Sequence, residues 1–128
     1  MSKQAIVTDK APAAIGPYSQ AIKAGDYVFF SGQVPLDPTS GELVAGGIAA
    51  QTEQVMSNLQ AMLIAADLDV DAVVKTTIYL TDMDAFPIVN DIYARTFTGT
   101  APARATVGVA ALPKGALVEM EWVAYAGR

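Results

Sequence analysis

From Leu117 to Tyr125 the chain alternates with period two, and this stretch constrains the fold more than any other. Val118, Met120, Trp122 and Ala124 fall on one side, an unbroken apolar row suited to a helix-covered core. Leu117, Glu119, Glu121, Val123 and Tyr125 fall on the other. Helical spacing would scatter both rows, so the segment reads as a strand. Its second row mixes two acids with three large apolar residues, which describes a sheet face that is neither plain surface nor plain core.

The rest of the chain supplies the partners such a strand needs. Ser19 to Ala24 and Tyr27 to Gln33 read as two strands joined at Gly25-Asp26, and the Pro-, Asp- and Gly-rich run Pro35 to Gly41 as an exposed loop. From Ile48 to Ala66, the residues Val55, Leu59, Met62, Leu63 and Ala66 recur at three- and four-residue spacing, which predicts an amphipathic helix. Val73 to Leu80 is β-branched and uninterrupted, a strand expected to be buried on much of both faces. Asp82 or Asp84 is placed to cap a second helix reaching Phe97, with Pro87 in its first turn, where a missing N–H costs nothing. Ala103 to Ala110 and Ala116 to Ala126 are the final strands, separated by Leu112-Pro113-Lys114-Gly115. No linker or repeat divides the chain, so residues 1–128 are expected to form one domain. The order β-β-α-β-α-β-β predicts an α+β fold, a two-layer mixed β-sheet with two helices on one face.

Alternation within Ala103 to Ala110 assigns Ala105, Val107 and Val109 to an apolar side, with Arg104, Thr106 and Gly108 opposite. Taking the apolar side as core-facing puts Arg104 together with Glu119 on the face the helices leave uncovered. That face is also rich in Leu, Val and Tyr, which predicts self-association through it, with charged residues lining pockets at subunit boundaries. Composition agrees: hydrophobic residues are 52% and charged residues only 16%, against about 25% charged in an average soluble domain.

Histidine and cysteine are both absent, so thiolate, imidazole and Cys-based metal chemistry are excluded. A net charge of −5 repels phosphates and anionic membranes, and no basic stripe offsets it. No signal-peptide core or membrane-length apolar run is present, so a cytoplasmic location is expected. Gly46-Gly47 lacks the spacing of a phosphate loop, and Asp67, Asp69 and Asp71 lack the pattern of a calcium loop; no metal is assigned.

Arg104 stands in a run of small and apolar residues, where its planar fork suits a bidentate grip on a carboxylate; a structural ion pair with Glu119 or Glu121 is the alternative. Glu119 and Glu121 lie among Val118, Met120, Trp122 and Val123, surroundings in which a carboxylate either pairs with a cation or keeps its proton and handles water. Both would otherwise be solvated acids of an edge strand. Tyr18 follows the Gly16-Pro17 turn, Ser31-Gly32 ends a strand with room for a ligand near the backbone or for a bulge, and Asn90 offers an amide from the second helix.

The motifs Ala11-Pro12-Ala13-Ala14-Ile15-Gly16-Pro17-Tyr18-Ser19-Gln20-Ala21, Phe30-Ser31-Gly32-Gln33, Val74-Lys75-Thr76-Thr77, Val89-Asn90, Pro102-Ala103-Arg104-Ala105-Thr106-Val107 and Ala111-Leu112-Pro113-Lys114-Gly115-Ala116-Leu117-Val118-Glu119 resemble the reactive-intermediate deaminases, the RidA/YjgF family, older-named "endoribonuclease L-PSP" proteins. The resemblance implies a chorismate-mutase-like fold, a homotrimer with a central barrel, pockets between subunits and no cofactor. It implies hydrolysis of 2-imino acids and their enamine tautomers, such as 2-iminobutanoate and 2-iminopropanoate, to 2-keto acids and ammonia. By resemblance, Arg104 holds the substrate carboxylate, Glu119 positions water and Tyr18 comes from a neighbouring subunit, while Ser31, Gly32, Asn90 and Thr106 line the pocket. Thr106 stands where many members carry cysteine, Gly108 replaces a usual glutamate and Ala105 a usual Ser or Thr. A different class of function, a non-catalytic binder of small carboxylates such as 2-keto acids in sensing or protein association, is the alternative. Ribonuclease activity, suggested by the older name, ranks last, because the chain has no histidine and no basic patch.

Overall fold

A computed structural model describes residues 2–127. It contains six strands, β1 (Gln4–Ile6), β2 (Ala21–Ala24), β3 (Tyr27–Gln33), β4 (Val73–Leu80), β5 (Ala103–Gly108) and β6 (Val118–Tyr125), and two α-helices, α1 (Gly47–Ala65) and α2 (Phe86–Thr96). The strands form one sheet in the order β1-β2-β3-β6-β4-β5. Every neighbouring pair is antiparallel except β4 and β5, which run parallel across the α2 connection. Five strands and both helices fall where periodicity puts them. β1 is the addition: three residues are too short for a period-two signal, and only pairing with β2 makes them a strand.

Local chemistry accounts for the joints. Asp37 Oδ1 accepts from the Thr39 and Ser40 N–H groups at 2.8 and 3.0 Å, closing the loop after β3. Those bonds to the charged form hold its carboxyl below the usual range. Asp82 caps a short helical turn by accepting from the Asp84 N–H at 2.9 Å, and α2 starts immediately after it with Pro87 at its beginning.

Both helices cover the same face of the sheet. Val55, Leu59, Met62 and Leu63 of α1 and Val89, Ile92 and Tyr93 of α2 pack on Val28, Phe30, Ile78, Met120 and Trp122, all buried. Each such side chain contributes about 1.5–3 kcal/mol by leaving water. Truncating the fully buried Leu59 to alanine costs roughly 2–5 kcal/mol.

Two expectations are corrected. β4 is not buried on both faces: Val73, Thr76, Ile78 and Leu80 are buried, while Thr77 and Tyr79, on the opposite side, are only half-covered. The second correction concerns Arg104. It registers beside Thr76, which registers beside Trp122, and both of those are buried under the helices, so Arg104 points to the helix side. Glu119 registers beside Tyr79, which lies beside Val107, on the open side. Alternation separates two rows but does not say which faces the core. In β5 the apolar row belongs to the open face, which is itself apolar: Val107, Phe29, Tyr27 and Tyr125 are all exposed there. β5 lies at the sheet edge, where α2 covers it only in part, and this leaves room for an arginine.

Candidate active site

Arg104 extends from β5 toward α2. Its Nη1 donates to Asn90 Oδ1 at 2.7 Å, and its guanidinium carbon lies 4.9 Å from the centroid of the Tyr93 ring and 5.2 Å from that of Phe86. Phe86, Asn90 and Tyr93 stand at i, i+4 and i+7 and therefore share one face of α2. Among the described residues no carboxylate lies in ion-pair distance of Arg104; the two ion pairs present both use Arg95. The ion pair with Glu119 or Glu121 weighed from the sequence is absent. Asn90, Tyr93, Phe97, Pro102 and Arg104 line a cavity of about 380 Å³. A cation held over aromatic rings, with an amide beside it and no counter-ion, is prepared for an external anion.

Glu119 occupies a second cavity, of about 480 Å³, with Tyr18, Gly32 and Lys114 and the apolar residues Ile15, Val34 and Leu36. Burial raises the Glu119 carboxyl above the usual range, and the negative charge of Glu121 on the same face raises it further. Glu121 accepts a 2.9 Å hydrogen bond from the Tyr79 hydroxyl, which keeps that phenol protonated to higher pH. The sheet is irregular between Phe30 and Gln33, and this bulge brings the Gly32 backbone against Glu119. A Cβ at Gly32 would overlap Glu119 Oε2, so glycine there lets the carboxylate keep this position, and a larger residue would push it aside. Gly16, at φ +130°, forms the turn that presents Tyr18, whose side chain remains exposed.

The structure thus brings together Tyr18, Gly32 and Glu119 in one cavity and Arg104 with Asn90 in the other. Ser31 lies at the bulge, but its hydroxyl donates to the Ser19 carbonyl at 2.5 Å and ties two backbone segments together. Thr106 follows Arg104 on the helix side, half-buried beside Ile78, outside the residues lining either cavity. Phe86, Tyr93 and Lys114 were not singled out from the sequence. The 4-3-4 spacing of Phe86, Asn90, Tyr93 and Phe97 on one helix face was the available signal for the first two; Lys114 carries none, because its left-handed backbone (φ 59°) emerges only in the folded turn.

A family profile described as Endoribonuclease L-PSP matches residues 8–126. The chain belongs to this family, the RidA/YjgF proteins. Within it, protein DfrA of Myxococcus xanthus is 54% identical over 126 residues, covering 97% of this chain and 96% of that protein. The 2-iminobutanoate/2-iminopropanoate deaminase of Mus musculus is 51% identical over 125 residues, covering 98% and 93%. The crystal structure of RidA from the Antarctic bacterium Psychrobacter sp. PAMC 21119 superposes with a TM-score of 0.91 at 48% identity, covering 95% of this chain and 98% of that one. Family membership agrees with the α+β architecture of one six-stranded sheet and two helices. No described helix is long and apolar enough to cross a membrane.

Proposed function

We propose that the chain is a hydrolase acting on C=N bonds, a metal-independent 2-iminobutanoate/2-iminopropanoate deaminase that needs no cofactor, works as a cytoplasmic homotrimer and completes its sites between subunits. The observation that carries this is the ring-flanked Arg104 without a counter-ion, which suits a small 2-imino carboxylate. A deaminase name on a mouse relative 51% identical to this chain supports the same reading. The older ribonuclease description fits poorly with a net charge of −5.

Imine hydrolysis demands little of a protein. A water oxygen bonds to the imine carbon, the C=N π pair moves to nitrogen, and nitrogen takes a proton. The resulting carbinolamine collapses: the hydroxyl proton passes to nitrogen, the carbonyl forms, the C–N bond breaks with its electron pair going to nitrogen, and ammonia leaves. An enamine first gains a proton at its β-carbon to become the imine. Arg104 and Asn90 hold the carboxylate; Glu119, with its raised proton affinity, takes the proton from water and returns it to nitrogen. Holding the imine beside the positioned water supplies most of the acceleration. In one chain the two groups sit on opposite sides of the sheet, so Arg104 of one copy acts with Glu119, Tyr18 and Gly32 of another.

Coupling the protein to an amino-acid oxidase or threonine dehydratase and timing semicarbazone formation tests the activity. Faster imine loss, abolished in Arg104→Ala, is expected. Saturable binding of 2-ketobutyrate without turnover would instead make the protein a carboxylate binder.

A further inference from the structure

We propose that Tyr93 is a positioning residue for Arg104, anchored in that role by the buried hydroxyl of Thr76; this rests on the reading of Arg104 as the carboxylate-holding group. Tyr93 is almost wholly buried, and its hydroxyl lies 2.7 Å from Thr76 Oγ1. Thr76 is fully buried and is the register partner of Arg104 in the parallel β4–β5 pair. One residue therefore fixes both ends of the arrangement: its backbone sets where Arg104 leaves β5, and its hydroxyl sets where the Tyr93 ring lies. Phe97 packs on Tyr93 with ring centroids 4.7 Å apart and meets Trp122 edge-on at 5.3 Å, so the ring is tied to the centre of the core as well. The guanidinium then rests 4.9 Å from this anchored ring, with Asn90 bonding one end.

Arginine has several rotatable bonds and ordinarily loses their freedom when it binds a ligand. A ring fixed through the core removes part of that cost in advance, and its face stabilises the cation in the place where a carboxylate must approach. A side chain that served packing alone would need some partner for its buried hydroxyl, but not one paired in register with the arginine. Nor would it present its ring face to the cation.

The test uses Tyr93→Leu, Tyr93→Phe and Thr76→Val in the full chain. Tyr93→Leu is expected to raise KM for the imine about 5- to 30-fold, the factor set by losing one cation–ring contact, with kcat changed less than about 2-fold. Tyr93→Phe, which keeps the ring but loses the bond to Thr76, and Thr76→Val, which loses the same bond from the other side, are both expected to fall between Tyr93→Leu and the wild type. Arginine side-chain NMR reports the geometry without turnover: ring-current-shifted Arg104 signals are expected in the wild type and in Tyr93→Phe and absent in Tyr93→Leu. Unshifted Arg104 signals in the wild type, or equal KM in folded Tyr93→Leu and wild type, would overturn the positioning role. If Tyr93→Leu does not fold, Thr76→Val decides in its place: unchanged KM and unchanged Arg104 signals count against the proposal. A wild type without imine hydrolysis would remove the deaminase reading while the NMR result still judged Tyr93.

Discussion

The two sides of the sheet treat their charged residues in opposite ways. On the helix side, at the open edge, the Arg104 guanidinium lies against two rings and has no carboxylate within ion-pair distance among the described residues. On the bare side, Glu119 lies in an apolar cavity that favours its protonated form. In the proposed reaction a cation that binds and a carboxylate that exchanges protons need different surroundings, and one sheet provides both by using both faces. The cost is that a single chain does not bring them into one pocket.

The most direct way to break this comparison is to mix two inactive variants. Arg104→Ala and Glu119→Gln are each expected to lose about two to three orders of magnitude in kcat/KM. Co-refolded in equal amounts, they regain roughly a quarter of wild-type activity if each site draws one group from each of two copies; activity no higher than that of either variant would place the site within one chain. Gly32→Ala comes next. Its methyl displaces Glu119 from the bulge, and misplacement by about 1 Å costs on the order of 100-fold in rate, with KM for the imine changed much less because Arg104, the proposed carboxylate-holding group, is untouched. An equal rise in KM would show that the halves are not independent.

Glu121→Gln sharpens the open side alone. Removing its charge lets the Glu119 carboxyl ionise more readily, so the acidic limb of the kcat/KM profile shifts to lower pH; an upward shift would contradict the assignment. The smallest effect is on stability. The folded state raises the Glu119 carboxyl above its unfolded value, so the fold favours the protonated form. The wild type therefore loses stability relative to Glu119→Gln as pH rises from the ordinary carboxyl range through the raised value. At pH 7 the variant is expected to melt at the higher temperature, with the difference vanishing below about pH 4. Thermal melts across that range check it.

Much of the architecture was legible because it follows from period and punctuation. β4 emerges with the expected ends, Val73 and Leu80, and β3 with Tyr27 and Gln33, because β-branched and aromatic runs stop at turn residues. The alternation in β6 located its buried row, Val118, Met120, Trp122 and Ala124, and left Glu119 opposite. In β5 the same logic misled. Ala105 and Val107 resemble a core row, yet they join Tyr79 and Glu119 on the bare face, and polar Arg104 takes the side toward α2.

The sequence alone therefore determined the elements, the apolar row of β6 and the residue types available for chemistry, because these depend on local spacing and composition. Only the tertiary structure decided which face of β5 meets α2, that Thr76 and Tyr93 stand behind Arg104, and that Gly32 makes space for Glu119. Those facts depend on strand register and on a bulge, and register is set by contacts between segments far apart in the chain. A short edge strand of small residues carries too little hydrophobic contrast to encode its own orientation.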